Sequence, residues 1–141
     1  MERYRYAGLF IDNTELLDKL NAVIKREPLE KIINSMHITF EYRPKRIFQD
    51  LFGTKVTIKV TGYGNDGSNE GVSVAIGRSV PELDKQAVVI KDYAHITISL
   101  SEGAKAVNTR YLSFEPFPSD KVFTIKGKYG AMRMDGSVDI E

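Results

Sequence analysis

Two seven-residue segments of this 141-residue chain share one alternating pattern, and they constrain the fold more than any other feature. Met36–Tyr42 has the sequence MHITFEY and Ala94–Leu100 has the sequence AHITISL. In both segments the second, fourth and sixth residues are polar and the others are apolar. Successive side chains of a strand point to opposite faces, so each segment predicts a β-strand with one buried face. Because the copies lie about half a chain apart, they indicate two similar halves.

The remaining periodicities predict mostly strands and a few helices. Further strands are predicted at Tyr6–Ile11, Thr54–Thr61, Val72–Ile76, Ala87–Ile90, Val122–Lys128 and Ser137–Ile140. Helices are predicted after the capping run Asp12-Asn13-Thr14, from Pro28 to about Asn34, and in short pieces within 44–52 and 107–114, while 77–86 is predicted to be a polar connection. We therefore expect one α+β domain spanning residues 1–141, with a mainly antiparallel sheet.

The segment Gly62–Gly71 contains glycines spaced as in a dinucleotide-binding fingerprint, at Gly62, Gly64 and Gly67. That fingerprint works only where the glycines open a helix whose N-terminus holds a pyrophosphate. Here a β-rich run follows, and Asp66-Gly67 is a strong hairpin signal. The segment is predicted to be a hairpin turn rather than a nucleotide-binding loop.

Composition excludes several classes of function. The net charge of +1 gives no overall field to attract long nucleic acid, so double-stranded DNA is not an expected partner. The absence of cysteine excludes disulfides and a thiolate nucleophile. A zinc site would need both histidines together with carboxylates, so no metal or other cofactor is expected.

The chain is also predicted to be cytoplasmic, without a membrane segment. Its longest apolar runs, such as Ala87–Ile90, are far shorter than the roughly 20 residues of a membrane helix. The first residues, Met-Glu-Arg-Tyr-Arg, lack the apolar stretch of a signal peptide.

The polar face of each repeated strand carries a histidine and, two residues later, a threonine. The polar faces are predicted to hold His37, Thr39 and Glu41 in one strand and His95, Thr97 and Ser99 in the other, with the alternate residues, Tyr42 among them, facing the core. One such histidine alone is more often structural, but repetition in the same strand phase favours a shared role. If the halves face each other, two imidazoles and two hydroxyls converge.

Such a set suits phosphodiester chemistry. Breaking a phosphodiester requires a base for the attacking oxygen and an acid for the leaving oxygen, and histidine titrates close to neutral pH. His37 and His95 could supply both functions. The hydroxyls of Thr39 and Thr97 could stabilise the negative charge that develops on the non-bridging oxygens.

The two motifs, His37-Ile38-Thr39-Phe40 and His95-Ile96-Thr97-Ile98, resemble those of the two-histidine (2H) phosphoesterases. The resemblance implies two pseudo-symmetric lobes of mainly antiparallel sheet, flanked by helices around a central groove. It implies metal-independent catalysis with His37 and His95 as the acid–base pair and Thr39 and Thr97 holding the phosphate. Which histidine is the acid stays open.

The resemblance also implies a substrate class. Members of this family include RNA 2′,3′-cyclic phosphodiesterases of the 2′-5′ RNA ligase type, 2′-5′ oligonucleotide phosphodiesterases and phage enzymes that degrade cyclic oligonucleotide immune signals. The expected partner is therefore a nucleotide, a cyclic nucleotide or a short RNA end. A nucleotide-binding module without turnover and a purely structural domain are the alternatives.

Three further residues are candidate substrate contacts. Arg43 continues the phase of His37 and belongs to a basic cluster that could hold a neighbouring phosphate. Tyr6 could stack on a base, although packing in the core is the favoured role. Lys105 follows the second motif in a loop.

Overall fold

The computed structural model describes residues 4–141 as an α+β fold built on one antiparallel sheet. The strands are β1 (Tyr4–Ile11), β2 (Lys31–Ile32), β3 (His37–Tyr42), β4 (Lys55–Asn65), β5 (Asn69–Ile76), β6 (His95–Leu100), β7 (Glu115–Pro116), β8 (Phe123–Arg133) and β9 (Val138–Asp139). The helices are α1 (Asn13–Val23) and α2 (Pro81–Ala87), and four 3₁₀ segments span Gln49–Leu51, Val88–Ile90, Ala106–Tyr111 and Ser119–Lys121. The predicted α+β class with a mainly antiparallel sheet is confirmed.

The sheet has the strand order β2-β6-β5-β4-β8-β1-β3. Two short strands lie off this path, with β7 paired to β4 and β9 paired to β8. Within residues 4–141, β3 pairs with β1 alone, and β2 covers Ser99 and Leu100 of β6. Although β3 and β6 lie far apart in strand order, they contact each other. The sheet therefore curls until its two histidine strands meet.

Helix α1 begins where the sequence predicts. The Asp12 carboxylate accepts hydrogen bonds from the backbone N–H groups of Thr14 and Glu15, which satisfies donors that an α-helix leaves free at its start. Leu16 and Leu20 are fully buried, one turn apart, in the hydrophobic core. The helix thus covers part of one face of the sheet.

The helix predicted from Pro28 is wrong. Residues 24–30 are irregular, and Lys31–Ile32 forms the short strand β2 against the end of β6. The Leu29 N–H donates to the Ser99 hydroxyl and the Ile33 N–H donates to the Ile98 carbonyl. These tertiary hydrogen bonds replace the ones that a helix would have made.

The prediction for 77–90 is also wrong, because helix and strand are exchanged. The polar connection contains α2, which begins at Pro81, a residue favoured in the first turn of a helix. The apolar run predicted as a strand is instead the end of α2 and a 3₁₀ turn, Val88–Ile90. A short apolar run does not distinguish a strand from a buried helical turn.

The predicted hairpin is confirmed, but it is tighter than expected. Strand β4 continues through Gly62 and Gly64 to Asn65, and β5 starts at Asn69, so the glycines do not open a helix. Gly67 adopts a left-handed conformation, with φ of +86°, at the turn. The pieces predicted as helices within 44–52 and 107–114 are 3₁₀ turns.

The alternation of the two histidine strands is confirmed for all but one apolar residue. Met36, Ile38 and Phe40, together with Ala94, Ile96, Ile98 and Leu100, are buried. Tyr42 is 63% exposed, because β3 ends there and the backbone turns at Arg43.

Among the described residues, no helix is long and apolar enough to cross a membrane.

Candidate active site

Each histidine strand belongs to a strand–helix–strand unit with the same hydrogen-bonding register. In the first unit, β1 pairs antiparallel with β3, which places Phe10 opposite His37 and Gly8 opposite Thr39. In the second, β5 pairs antiparallel with β6, which places Ser73 opposite His95 and Gly71 opposite Thr97. An irregularity in register occurs immediately before each glycine. The repeated tripeptide is thus part of a repeated structural unit.

The two glycines are required by close approach of the backbone. A Cβ atom on Gly8 would lie 1.9 Å from the Ile38 carbonyl oxygen, and one on Gly71 would lie 2.7 Å from the Ile96 carbonyl oxygen. Ile38 and Ile96 are the central residues of the two His-Ile-Thr motifs. Glycine therefore lets the neighbouring strand approach each motif closely.

One cavity of about 1230 Å³ contains all four motif residues. Its wall includes His37, Thr39, His95 and Thr97, each half-buried. Four cationic side chains and two carboxylates also line it, namely Arg5, Arg46, Lys85, Arg110, Glu41 and Glu82. Most of the remaining wall is apolar, including Ile33, Phe48, Val89 and Val107. The predicted motif residues therefore border one space.

The two imidazoles are held in the same way. The Nδ1–H of His37 donates to the Ser35 carbonyl at 2.8 Å, and that of His95 donates to the Tyr93 carbonyl at 2.9 Å. A carbonyl oxygen accepts only, so each bond fixes the proton of the neutral ring on Nδ1. No group among residues 4–141 hydrogen-bonds to the Nε2 atom of either histidine. Each ring can therefore accept or donate a proton through Nε2.

Burial lowers the pKa of both histidines below the ordinary value of 6.5. For His37 burial is the largest cause, the Ser35 carbonyl raises the pKa and the charge of His95 lowers it further. For His95 burial again dominates, the Tyr93 carbonyl raises the pKa and the charge of Arg110 lowers it. The electrostatic coupling of the two rings reflects their position around one cavity.

Tyr6 packs directly against His37. The ring centroids are 4.4 Å apart at an interplanar angle of 20°, and the Tyr6 hydroxyl lies 3.2 Å from Nδ1. Phe10 stacks on Tyr6 at a centroid distance of 6.0 Å. Burial raises the pKa of Tyr6 to about 12, so its hydroxyl stays protonated at neutral pH. Tyr6 lines the cavity, and one face of its ring packs against His37.

The two threonines differ in their hydrogen bonding. The Thr97 hydroxyl donates to the Thr109 hydroxyl at 2.9 Å. The buried Asn69 amide donates to the same Thr109 oxygen at 3.0 Å and to the Lys105 carbonyl at 2.9 Å. The Thr39 hydroxyl has no partner among the described residues. Thr39 is therefore free to bind a ligand, whereas Thr97 must exchange a partner first.

Arg43 and Lys105 do not line the cavity. Arg43 has a φ of +48° and is exposed, with its guanidinium over the Tyr42 ring at 5.8 Å. This left-handed turn removes Arg43 from the strand phase on which its predicted role depended. Lys105 is exposed, and the contact it makes to Asn69 is through its backbone carbonyl.

Sequence reasoning did not identify three of the four cations in the cavity wall, Arg5, Lys85 and Arg110. Lys85 lies on α2, where a polar connection was predicted, and Arg110 lies on a 3₁₀ turn. Arg5 neighbours Tyr6, and its guanidinium donates to the Met134 carbonyl at 3.1 Å. A weak signal for Arg46 was its place in the Arg43-Pro44-Lys45-Arg46 cluster.

The polar face of β6 is partly exposed at His95 and Thr97 but buried at Ser99. Ser99 is fully buried, and its hydroxyl donates to the Glu70 carboxylate at 2.6 Å. Glu70 also binds Arg26 through two hydrogen bonds of 2.7 and 3.0 Å and accepts one from the Tyr63 hydroxyl. The prediction that Ser99 shares a free surface with His95 is wrong, because this buried network covers it.

No family model and no curated protein sequence matches this chain. Within residues 4–141, no three His, Cys, Asp or Glu side chains are grouped so as to hold a metal ion.

Proposed function

We propose that this chain is a metal-independent phosphodiesterase of the 2H phosphoesterase type, acting on a nucleotide. The observation that carries the proposal is the matched pair of imidazoles in one cavity, each with Nδ1 bonded to a backbone carbonyl and Nε2 without a partner among residues 4–141. The shared register of the two strand–helix–strand units supports the two-lobe, pseudo-symmetric arrangement of that family.

In this mechanism the two imidazoles take opposite roles. One Nε2 removes the proton of the attacking water or ribose hydroxyl as its oxygen bonds to phosphorus. The other imidazole, protonated, donates a proton to the leaving oxygen as the second P–O bond breaks. The roles are exchanged in the reverse reaction, so cyclising cleavage and hydrolysis of a cyclic phosphate use the same pair.

Charge on the non-bridging oxygens would be stabilised by fixed donors. Thr39 has a free hydroxyl at the His37 side, and Thr97 occupies the equivalent place beside His95. The excess of cations over carboxylates in the wall favours an anionic ligand. Preorganised donors of this kind supply a large share of rate enhancement in many enzymes.

The shape and polarity of the cavity support a nucleotide substrate. Its volume of about 1230 Å³ exceeds the roughly 300–1000 Å³ of common small-molecule pockets. A largely apolar wall suits nucleobases and ribose better than a phosphate alone. We propose 2′,3′-cyclic phosphate ends and 2′-5′ or 3′-5′ linkages, including those of cyclic oligonucleotides, as substrates.

A substrate panel tests this function. Cyclic mononucleotides, cyclic oligonucleotides and RNA with a 2′,3′-cyclic phosphate are incubated with the protein in EDTA, and products are read by mass spectrometry. The variants His37→Gln and His95→Gln keep side chains of similar polarity, and circular dichroism checks their fold. Lys59→Gln, on an exposed position of β4 outside the cavity, is the matched control.

We expect wild type and Lys59→Gln to convert at least one substrate in EDTA, and both histidine variants to lose that conversion. Binding of a nucleotide that is recovered unchanged would favour a non-catalytic binding module instead. Turnover that EDTA abolishes and one divalent ion restores would contradict the proposal.

A further inference from the structure

The exposed Arg110 guanidinium lies over two aromatic rings at the wall of the cavity. Its guanidinium carbon lies 4.7 Å from the Tyr93 ring centroid and 5.4 Å from that of Tyr111. Stacking uses the faces of a guanidinium, so its N–H donors, which lie in the plane, remain available. No residue among 4–141 accepts a hydrogen bond from this guanidinium. The guanidinium is oriented by the rings, and its N–H donors have no acceptor within residues 4–141.

Tyr93 connects this arginine to the second histidine. Its carbonyl accepts the Nδ1–H of His95, while its ring lies under Arg110. Arg110 and His95 both line the cavity. The segment that carries Arg110 is bonded to β5, because the buried Asn69 amide donates to the Lys105 carbonyl and the Thr109 hydroxyl. His95 and Arg110 therefore both contact Tyr93, the first through its carbonyl and the second through its ring.

The other charged groups of the cavity are held differently. Arg5 donates to the Met134 carbonyl, and Glu41 accepts from the Gln86 amide. Glu82 and Lys85 extend to the cavity wall from α2, and Arg46 extends from the segment after β3. Among the described residues, no aromatic ring lies over the cation of Lys85 or of Arg46. The other histidine of the cavity wall, His37, stacks on Tyr6.

We propose that Arg110 binds the substrate phosphate beside His95, and that Tyr93 is the residue that positions it there. The inference rests on the proposed function and adds a catalytic contact outside the two motifs. A guanidinium can bind two phosphate oxygens at once, and its charge would stabilise the negative charge that develops there in the transition state. Its contacts with the two rings reduce the cost of ordering the side chain when phosphate binds.

Two substitutions at Arg110 and two at Tyr93 test the assignment. Arg110→Gln removes the charge, and Arg110→Lys keeps the charge but loses the planar fork. Tyr93→Leu removes the ring while keeping the carbonyl that binds His95, and Tyr93→Phe keeps the ring. Lys91→Gln, an exposed cation two residues before Tyr93 and outside the cavity, is the control.

Turnover and phosphate binding are both measured. We expect Arg110→Gln to lower kcat by about 10²-fold, as loss of one oxyanion donor does elsewhere. Arg110→Lys and Tyr93→Leu should lose less, about 10-fold, and Tyr93→Phe should lose less than Tyr93→Leu, while Lys91→Gln should keep the wild-type rate. Inorganic phosphate is titrated while the His95 imidazole is followed by NMR, and Arg110→Gln should need about 10-fold more phosphate than wild type.

The two readouts separate failure of this inference from failure of the proposed function. A wild-type rate and unchanged phosphate affinity in Arg110→Gln would overturn the role of Arg110 while leaving the phosphodiesterase intact. No turnover by the wild type, with phosphate affinity still dependent on Arg110, would support the phosphate site and reject the enzymatic function. Equal losses in Tyr93→Leu and Tyr93→Phe would reject the positioning role of the ring.

Discussion

At the scale of single residues, the two histidines share a geometry but differ in their neighbours. Both donate Nδ1–H to the carbonyl of the residue two positions earlier, a device that needs only the local backbone. Tyr6 then stacks on His37, while Arg110 places its charge near His95. The motif fixes the tautomer, and the surroundings adjust the pKa of each ring.

These pKa values predict an acid-shifted pH profile. The kcat/KM profile reports the free enzyme, in which burial lowers the pKa of His37 and of His95 from 6.5. One ring must be neutral and the other protonated, so the profile should be bell-shaped with its optimum below pH 6.5. Initial rates at low substrate between pH 4.5 and 8 measure it. An optimum above pH 7, or a monotonic profile, would contradict the paired roles.

The threonines should contribute unequally. Thr39 can donate to a phosphate at once, whereas Thr97 first gives up its hydrogen bond to Thr109. A hydrogen bond contributes about 1 kcal/mol net, equivalent to several-fold in rate. We expect Thr39→Val to reduce kcat/KM several-fold more than Thr97→Val on the same substrate. An equal loss, or a greater loss in Thr97→Val, would refute this ranking.

At the scale of elements, each histidine strand depends on a glycine in its neighbour. A methyl group at Gly8 would meet the Ile38 carbonyl oxygen at 1.9 Å, a distance that requires the strands to move apart. We expect Gly8→Ala to lower the free energy of unfolding by about 2–3 kcal/mol, as overpacking does elsewhere. Urea denaturation measures the change.

The control for this prediction is Ala75→Ser, on an exposed position of β5. It should change the free energy of unfolding by less than about 0.5 kcal/mol. If Gly8→Ala changed the free energy of unfolding by less than about 0.5 kcal/mol, close approach of the strands would not be needed at the first motif.

The buried carboxylate of β5 joins three other segments of the fold. Glu70 is fully buried and binds Arg26, Tyr63 and Ser99. Replacing it by glutamine leaves the Arg26 charge without its counter-ion. Removing one partner of a buried ion pair costs about 3–5 kcal/mol of stability. We expect Glu70→Gln to lower the free energy of unfolding by about that amount, as measured by urea denaturation. A loss below about 1 kcal/mol would show that the pair is not coupled to folding.

At the scale of the whole molecule, the site adds a pH dependence to stability. A histidine whose pKa is lower in the folded state binds fewer protons there than in the unfolded chain. Stability from His37 and His95 is therefore complete above pH 6.5 and declines as the pH falls through their folded pKa values. Most carboxylates titrate below this range.

The corresponding measurement is urea denaturation of the wild type and of the His37→Gln/His95→Gln double variant at pH 7.5, 6.5 and 5.5. We expect the free energy of unfolding to fall toward pH 5.5 in the wild type and to change less in the double variant. Identical slopes would assign the pH dependence to other groups.

Sequence reasoning predicted the parts of the fold that depend on local periodicity. The two histidine strands, the capped helix α1 and the Asp66-Gly67 hairpin follow from alternation, capping and turn chemistry. It failed in residues 24–33, where backbone hydrogen bonds to β6 override the local helix signal. It also failed at Val88–Ile90, because a short apolar run is compatible with both a strand and a helical turn.

The motif residues could be predicted because they repeat, whereas their neighbours could not. Arg110 lies on a 3₁₀ turn, and only the curled sheet brings it to the cavity. Arg43 failed for a local reason, since a left-handed residue at the end of β3 breaks the strand phase. Gly8 and Gly71 carried an additional repeat that becomes visible only once the strand pairing is known.

The most direct test of the account is the rate of phosphodiester cleavage by wild type, His37→Gln, His95→Gln and the double variant in EDTA, on one substrate. If the imidazoles act as a pair on one phosphorus, each single variant should lose about 10²–10⁴-fold, and the double variant little more than the worse single one. Wild-type rates in either single variant, or losses that multiply as for independent sites, would contradict a shared acid–base pair.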